Sequence, residues 1–205
     1  QAEDGIRDYK VTGVQTCALP IYDYNFAYGA SSYSKGSVFM AQLEYIIGKE
    51  NMAKTIKRYY GEFKFKHPTP NDFKRVAEKV SDMELEWYLN DWTRTTNTVD
   101  YGLDISSLSD DRSISVKRKG RMPMPLEIEV SYEDGSSLLY YIPNDLMHGL
   151  KSFDAENVVQ MEAWGWASPE YSFQDITDKK ITKVEIDPSK TLADVNQIDN
   201  SFTIE

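Results

Sequence analysis

Cysteine is almost missing from this chain. Its 205 residues contain one, Cys17, so no internal disulfide can form. A lone cysteine reads as a small buried hydrophobe or a nucleophile. Histidine is nearly as scarce: His67 and His148 are far apart in sequence. Neither belongs to an HExxH, and no CxxC or calcium-loop run of carboxylates accompanies them, so the chain shows no metal-ligand motif. Both histidines read as surface or structural residues. No nucleophile-elbow motif supports a Ser/His/Asp triad. Long apolar runs are absent too, which excludes a transmembrane span of the helical kind. Basic residues number 23 against 33 acidic ones, a net charge of −10. With no Lys/Arg stripe, that balance speaks against nucleic acid as a partner.

What is present is aromatic and patterned. Aromatic residues make up 13% of the chain, enough to argue for a packed core rather than global disorder. The length suits one domain or two small ones.

The first 21 residues have neither helical nor strand periodicity, and none of the regions of a secretory signal. Gln1–Asp8 and Val11–Ile21 can be back-translated, in one frame and in order, into two stretches of a common sequencing-library adapter. The expectation is that residues 1–21 are adapter-derived rather than native. Cys17 would then be no part of the natural protein, whose remaining residues 22–205 contain no cysteine.

Four helical patterns follow. From about Ser34 to Ile47, the residues Phe39, Leu43, Ile46 and Ile47 share a face, and Gly48 offers a stop. From about Glu50 to Phe63, the face is Met52, Ile56, Tyr59, Tyr60 and Phe63. A third helix opens at Thr69-Pro70-Asn71-Asp72, where proline suits the first turn and Thr69 and Asp72 suit capping. A fourth runs from about Met83 to Thr93 on Leu85, Tyr88, Leu89 and Trp92. Short loops predict antiparallel neighbours.

After Thr98 the period falls to two. Leu126, Ile128, Val130 and Tyr132 alternate with Glu127, Glu129 and Ser131, which reads as a half-buried strand with solvated glutamates. Glu133-Asp134-Gly135 turns the chain into a hairpin partner at Leu138–Ile142. Ile114–Val116 and Ile181–Ile186 read as further strands. Trp164-Gly165-Trp166 is either a ligand platform or a strand burying both indoles; the glycine favours burial. The predicted fold class is α+β in two parts. Residues 22–97 are the helical part and residues 98–205 an antiparallel β-sandwich, with the boundary near Thr96–Asp100.

The stretch Tyr28-Gly-Ala-Ser-Ser-Tyr33-Ser-Lys35-Gly36 leads into the first helix. On residue chemistry alone, a tyrosine there either packs or aims its phenol into a cleft as a hydrogen-bond donor. The segment Tyr33-Ser-Lys35-Gly36, with Ile46-Ile47-Gly48-Lys49-Glu50 after it, resembles the aminopeptidase N-like zinc metallopeptidases, which are gluzincins. The similarity continues through Phe65-Lys66-His67-Pro68-Thr69-Pro70-Asn71-Asp72-Phe73 and Leu85-Glu86-Trp87-Tyr88-Leu89. It extends to Ile186-Asp187-Pro188 and Ala193-Asp194-Val195-Asn196.

The resemblance implies the helical end of a thermolysin-like catalytic domain followed by a sandwich. It implies a parent enzyme that removes N-terminal residues from peptide substrates with zinc as cofactor. Tyr33 would be the catalytic oxyanion donor, Tyr28 a substrate-pocket residue, and Lys35 and Gly36 helix-entrance residues. The family's zinc motif, third ligand and amine anchor precede the tyrosine segment and are not in this sequence. The chain itself is therefore expected to hold no catalytic zinc and to be inactive. Localisation and oligomeric state stay open, with a lean from the family toward an exported parent. The competing expectation is a non-catalytic module that binds protein or glycan, or a degenerate relative of the peptidases.

Overall fold

A computed structural model describes residues 25–104, 112–153 and 155–204. They fall into two compact units, one ending at Ala41 and the other beginning at Gln42. Cys17 and the segment 1–21 lie outside the described residues.

The helical run begins earlier than the periodicity suggested. Helix α1 spans Asn25–Gly29, a π turn spans Ala30–Ser34, and α2 spans Lys35–Ile47. Gly48 ends α2 with φ of 85°, a left-handed value that glycine adopts without a Cβ penalty. Helix α3 then spans Lys49–Phe63. Helix α4, Pro70–Ser81, opens as its sequence demands. Thr69 Oγ1 accepts from the Asp72 amide, and the Asp72 carboxylate accepts from the Thr69 amide at 2.8 Å, so two amides lacking helical partners are satisfied reciprocally. Tyr59 of α3 meets Phe73 of α4 edge-to-face at 5.1 Å.

Helix α5 covers Glu86–Arg94 rather than starting near Met83. The reason lies in the N–H groups ahead of it. The Glu84 amide donates to the Met147 carbonyl at 2.7 Å, and the Leu85 amide to Glu78 Oε1 at 3.0 Å. Tertiary partners hold this stretch out of the helix. Helix α3 departs from its predicted face as well. Met52 and Thr55 are buried, while Ile56 and Tyr60 are exposed.

Among the described residues eight strands follow: β1 Tyr101–Asp104, β2 Ser113–Arg118, β3 Leu126–Tyr132, β4 Ser137–Ile142, β5 Val158–Gln160, β6 Glu170–Gln174, β7 Ile181–Ile186 and β8 Ser201–Thr203. They form one sheet ordered β1-β2-β6 and another ordered β5-β4-β3-β7-β8. All pairs are antiparallel except β4–β5, which is parallel. Leu126, Ile128 and Val130 of β3 are completely buried, as are Val184 and Ile186 of the neighbouring β7.

Glu127 and Trp166 depart from their expected environments. Glu127 is not solvated: it is buried and pairs with Lys151 Nζ at 2.5 Å. That ammonium also lies 4.9 Å from the Tyr45 ring centre and 5.1 Å from that of Phe153, where cation–π attraction adds to the ion pair. Of the two indoles only Trp164 is buried, packed on Tyr101 and Tyr171. The Ser168 amide closes a turn onto the Gly165 carbonyl, which swings Trp166 outward to 57% exposure.

A carboxylate links the two sheets. Asp175, just past β6, accepts from the hydroxyls of Tyr132 on β3 (2.6 Å), Tyr140 on β4 and nearby Thr177 (2.6 Å). Burial alone raises a carboxyl pKa, but these donors outweigh it and hold Asp175 below its usual value.

Within the second unit, the helices and sheets meet along a seam. Gln42 of α2, 1% exposed, donates to the Thr191 carbonyl at 2.6 Å and accepts from the Ala193 amide at 3.0 Å. Gly149 fits because it has no side chain: a Cβ there would sit 2.5 Å from the Asp82 carbonyl oxygen.

Two outcomes follow for stability. Thr69→Ala removes the capping box and should lower unfolding free energy by about 1 kcal/mol in urea titrations. Asp175 has a lowered folded pKa, so its contribution is present above the unfolded value of about 3.9 and lost as pH falls through the folded value. Asp175→Asn should therefore be less stable at neutral pH. Its stability should also fall less steeply than that of the unsubstituted chain below about pH 4.

Candidate functional site

The tyrosine segment owes its geometry to the π turn. The Lys35 amide donates to the Ala30 carbonyl, five residues back, so one wide turn interrupts the α-helical winding. In a plain α-helix each residue advances by about 100°, which puts residues five apart on different faces. The wider turn closes that gap. Tyr28 and Tyr33 meet edge-to-face, with ring centroids 5.7 Å apart and planes at 87°. Such turns occur frequently at functional sites. Tyr33 is 66% exposed and Tyr28 half-buried, so the outer phenol is accessible to a ligand while its ring rests on the inner one. Ser37 Oγ donates to the Ser34 carbonyl at 2.8 Å and steadies the first turn of α2. Gly29 and Gly36 leave open space, since a Cβ on either would meet nothing within 4 Å.

Tyr33 was placed at a helix entrance by sequence; the structure sets it inside a continuous helical run. Lys35 is the first residue of α2, and both Lys35 and Gly36 lie on that run. The π turn escaped the sequence reading. Its only local sign is the run of small residues Gly29-Ala30-Ser31-Ser32, which are weak or neutral helix formers apart from alanine.

Neither histidine belongs to a metal-ligand cluster among the described residues. His67 is exposed in the loop after α3. His148 is exposed at the rim of an open hollow with Lys74, Glu78, Asp82 and Glu84. In that hollow Lys74 pairs with Glu86 at 2.5 Å and Glu78 at 3.5 Å. Among the described residues no group of three or more His, Cys, Asp or Glu is arranged to hold a metal ion. The described residues therefore do not fit a zinc site.

Residues 8–92 match the Peptidase family M1 domain. This segment is similar to M1-family peptidases. The matched span includes the tyrosine segment and helices α1 to α4, and ends within α5. It also opens ahead of residue 22, within the stretch read as adapter. Human glutamyl aminopeptidase is 30% identical over 87 residues, which are 42% of this chain and 9% of that protein. The chain thus spans about a tenth of the length of this curated relative. No helix among the described residues is long and apolar enough to cross a membrane.

The Tyr28–Tyr33 contact has a direct spectroscopic consequence. Ring protons of Tyr33 should show ring-current shifts from Tyr28 in the NMR spectrum. Tyr28→Leu should return them toward unstructured positions.

Proposed function

We propose that this chain is the tail of a zinc-dependent aminopeptidase: the helical end of its thermolysin-like catalytic domain, followed by a β-sandwich. Tyr33 is its oxyanion donor. The observation that carries the reading is an accessible Tyr33 phenol, braced by Tyr28, within a segment of M1-family sequence. Contacts between the two sheets, such as Tyr140 on Phe173 at 4.8 Å, support the sandwich.

The chemistry assigned to this chain is one hydrogen bond. When a peptide carbonyl is attacked, its oxygen gains negative charge as the carbon becomes tetrahedral. A phenol fixed beside that oxygen donates more strongly to it than to the neutral carbonyl, and this difference lowers the barrier. Edge-to-face packing on Tyr28 limits how far the Tyr33 ring can swing, so part of the positioning cost is met before substrate arrives. Tyr28 itself presents a half-buried aromatic wall suited to an apolar part of the peptide substrate. The zinc ligands belong to parent sequence that precedes residue 22, and no zinc step is assigned to the residues of this chain. The divisions at residues 22 and 98, and the adapter origin of residues 1–21, form part of the same proposal.

The test uses the parent gene. The native coding sequence upstream of residue 22 should encode HExxH and a later glutamate. In the intact enzyme, Tyr33→Phe should lower kcat on an aminoacyl anilide by about 10²–10³-fold, the loss typical of an oxyanion donor. KM should change far less. The 205-residue chain by itself should not hydrolyse the anilide. An upstream sequence without HExxH would favour the non-catalytic binding module, and an unchanged kcat in Tyr33→Phe would remove Tyr33 from the oxyanion role.

A further inference from the structure

Helix α3 and the turn after it present a surface unlike the rest of the chain. Between Lys49 and His67 lie six basic and two acidic residues, in a chain whose net charge is −10. Large apolar side chains stand out of the same surface: Ile56 is 41% exposed, Tyr60 68% and Phe65 98%. Ile56 and Tyr60 are one turn apart, with Lys57 beside them on the helix and Lys64 just past its end. Phe65 has φ of 63°, a left-handed conformation that disfavours a bulky residue. Strain of this kind survives only where the surroundings enforce it. Here the Lys64 amide bonds to the Tyr60 carbonyl and the Lys66 amide to that of Phe63. Together these bonds hold Phe65 outward.

The strand-rich part has the opposite character. From Thr98 to Glu205 there are 20 acidic and 10 basic residues. Glu156 and Glu162, both exposed, flank β5 at the edge of the five-stranded sheet, where Val158 and Val159 are half-buried. Among the described residues neither glutamate makes an ion pair, and neither do Lys57 and Lys64. The chain thus carries an apolar-centred basic patch and an acidic rim beside a sheet edge.

We propose that the α3 face docks on the β5 edge of a second copy of this chain. Lys57 and Lys64 would face Glu156 and Glu162, and Tyr60 and Phe65 would lie over the valines. The contact is heterologous, so it adds copies head to tail rather than closing a two-fold dimer. Exposed ion pairs are screened by salt, which makes the association salt-sensitive. The inference stands apart from the peptidase reading, because it needs no catalytic group.

Sedimentation equilibrium of the 205-residue chain tests it. Average mass should climb with protein concentration at about 0.05 M salt and fall toward the monomer at about 0.5 M. Lys57→Glu with Lys64→Glu should abolish the climb. Adding Glu156→Lys and Glu162→Lys to the same chain should restore it, as should mixing the two charge-reversed proteins. Tyr60→Ser with Phe65→Ser, both at exposed positions, should also leave a monomer, with circular dichroism confirming that each variant is folded. A chain that stays monomeric at low salt would overturn the proposal. So would association indifferent to these substitutions, or a monomer whose α3 face instead binds phosphatidylserine vesicles.

Discussion

The side-chain amide of Gln42 is the point on which the second unit depends. It is buried on α2, and both of its polar atoms are spent on the loop after β7, one on the Thr191 carbonyl and one on the Ala193 amide. An apolar residue of similar size would remove both hydrogen bonds from this half-buried seam, each worth about 1 kcal/mol. The loop it grips is itself a knot of hydrogen bonds. Asp187 accepts from the Leu192 amide and from Ser189 Oγ. Asp194 accepts from the Tyr101 amide at the start of β1 and from the Asn196 amide. One glutamine therefore connects the peptidase-like helices to the end of one sheet and the beginning of the other.

Helix α2 begins two residues after Tyr33 and carries the chain to Gln42. The second half of α2 buries Leu43, Tyr45, Ile46 and Ile47, and Tyr45 lies against the ammonium that neutralises Glu127 of β3. Burial, with Glu127 and Asp187 adding to it, pushes the Tyr45 phenol well above its ordinary pKa, so it serves as a neutral packing group. The second half of α2 is thus seated by polar and ionic contacts on strand and loop residues. The ion pair and the Gln42 amide place it more specifically than apolar burial would, because apolar contact is not directional.

Sequence disclosed the elements whose signals are local. Thr69-Pro70-Asn71-Asp72 encodes its own capping box, and strict alternation defines β3 at Leu126–Tyr132. The short strands β1, β5, β6 and β8 show little alternation, and they exist through pairing with strands distant in sequence. Polar residues in the core were the harder class. Gln42, Glu127 and Asp175 resemble surface residues until their distant partners, at sequence separations of 24 to 151, are in place. In the tyrosine segment, family resemblance singled out Tyr33 and Tyr28. Their mutual contact depends on a π turn that no side-chain pattern announced.

Native-state amide hydrogen exchange tests the central claim, that Gln42 joins helices and sheets into one cooperative unit. The slowest amides of α4 and those of β3 and β7 should open with the same free energy, and Gln42→Leu should lower both by the same amount. Separate opening energies in the unsubstituted chain, or a response to Gln42→Leu confined to the helices, would contradict it.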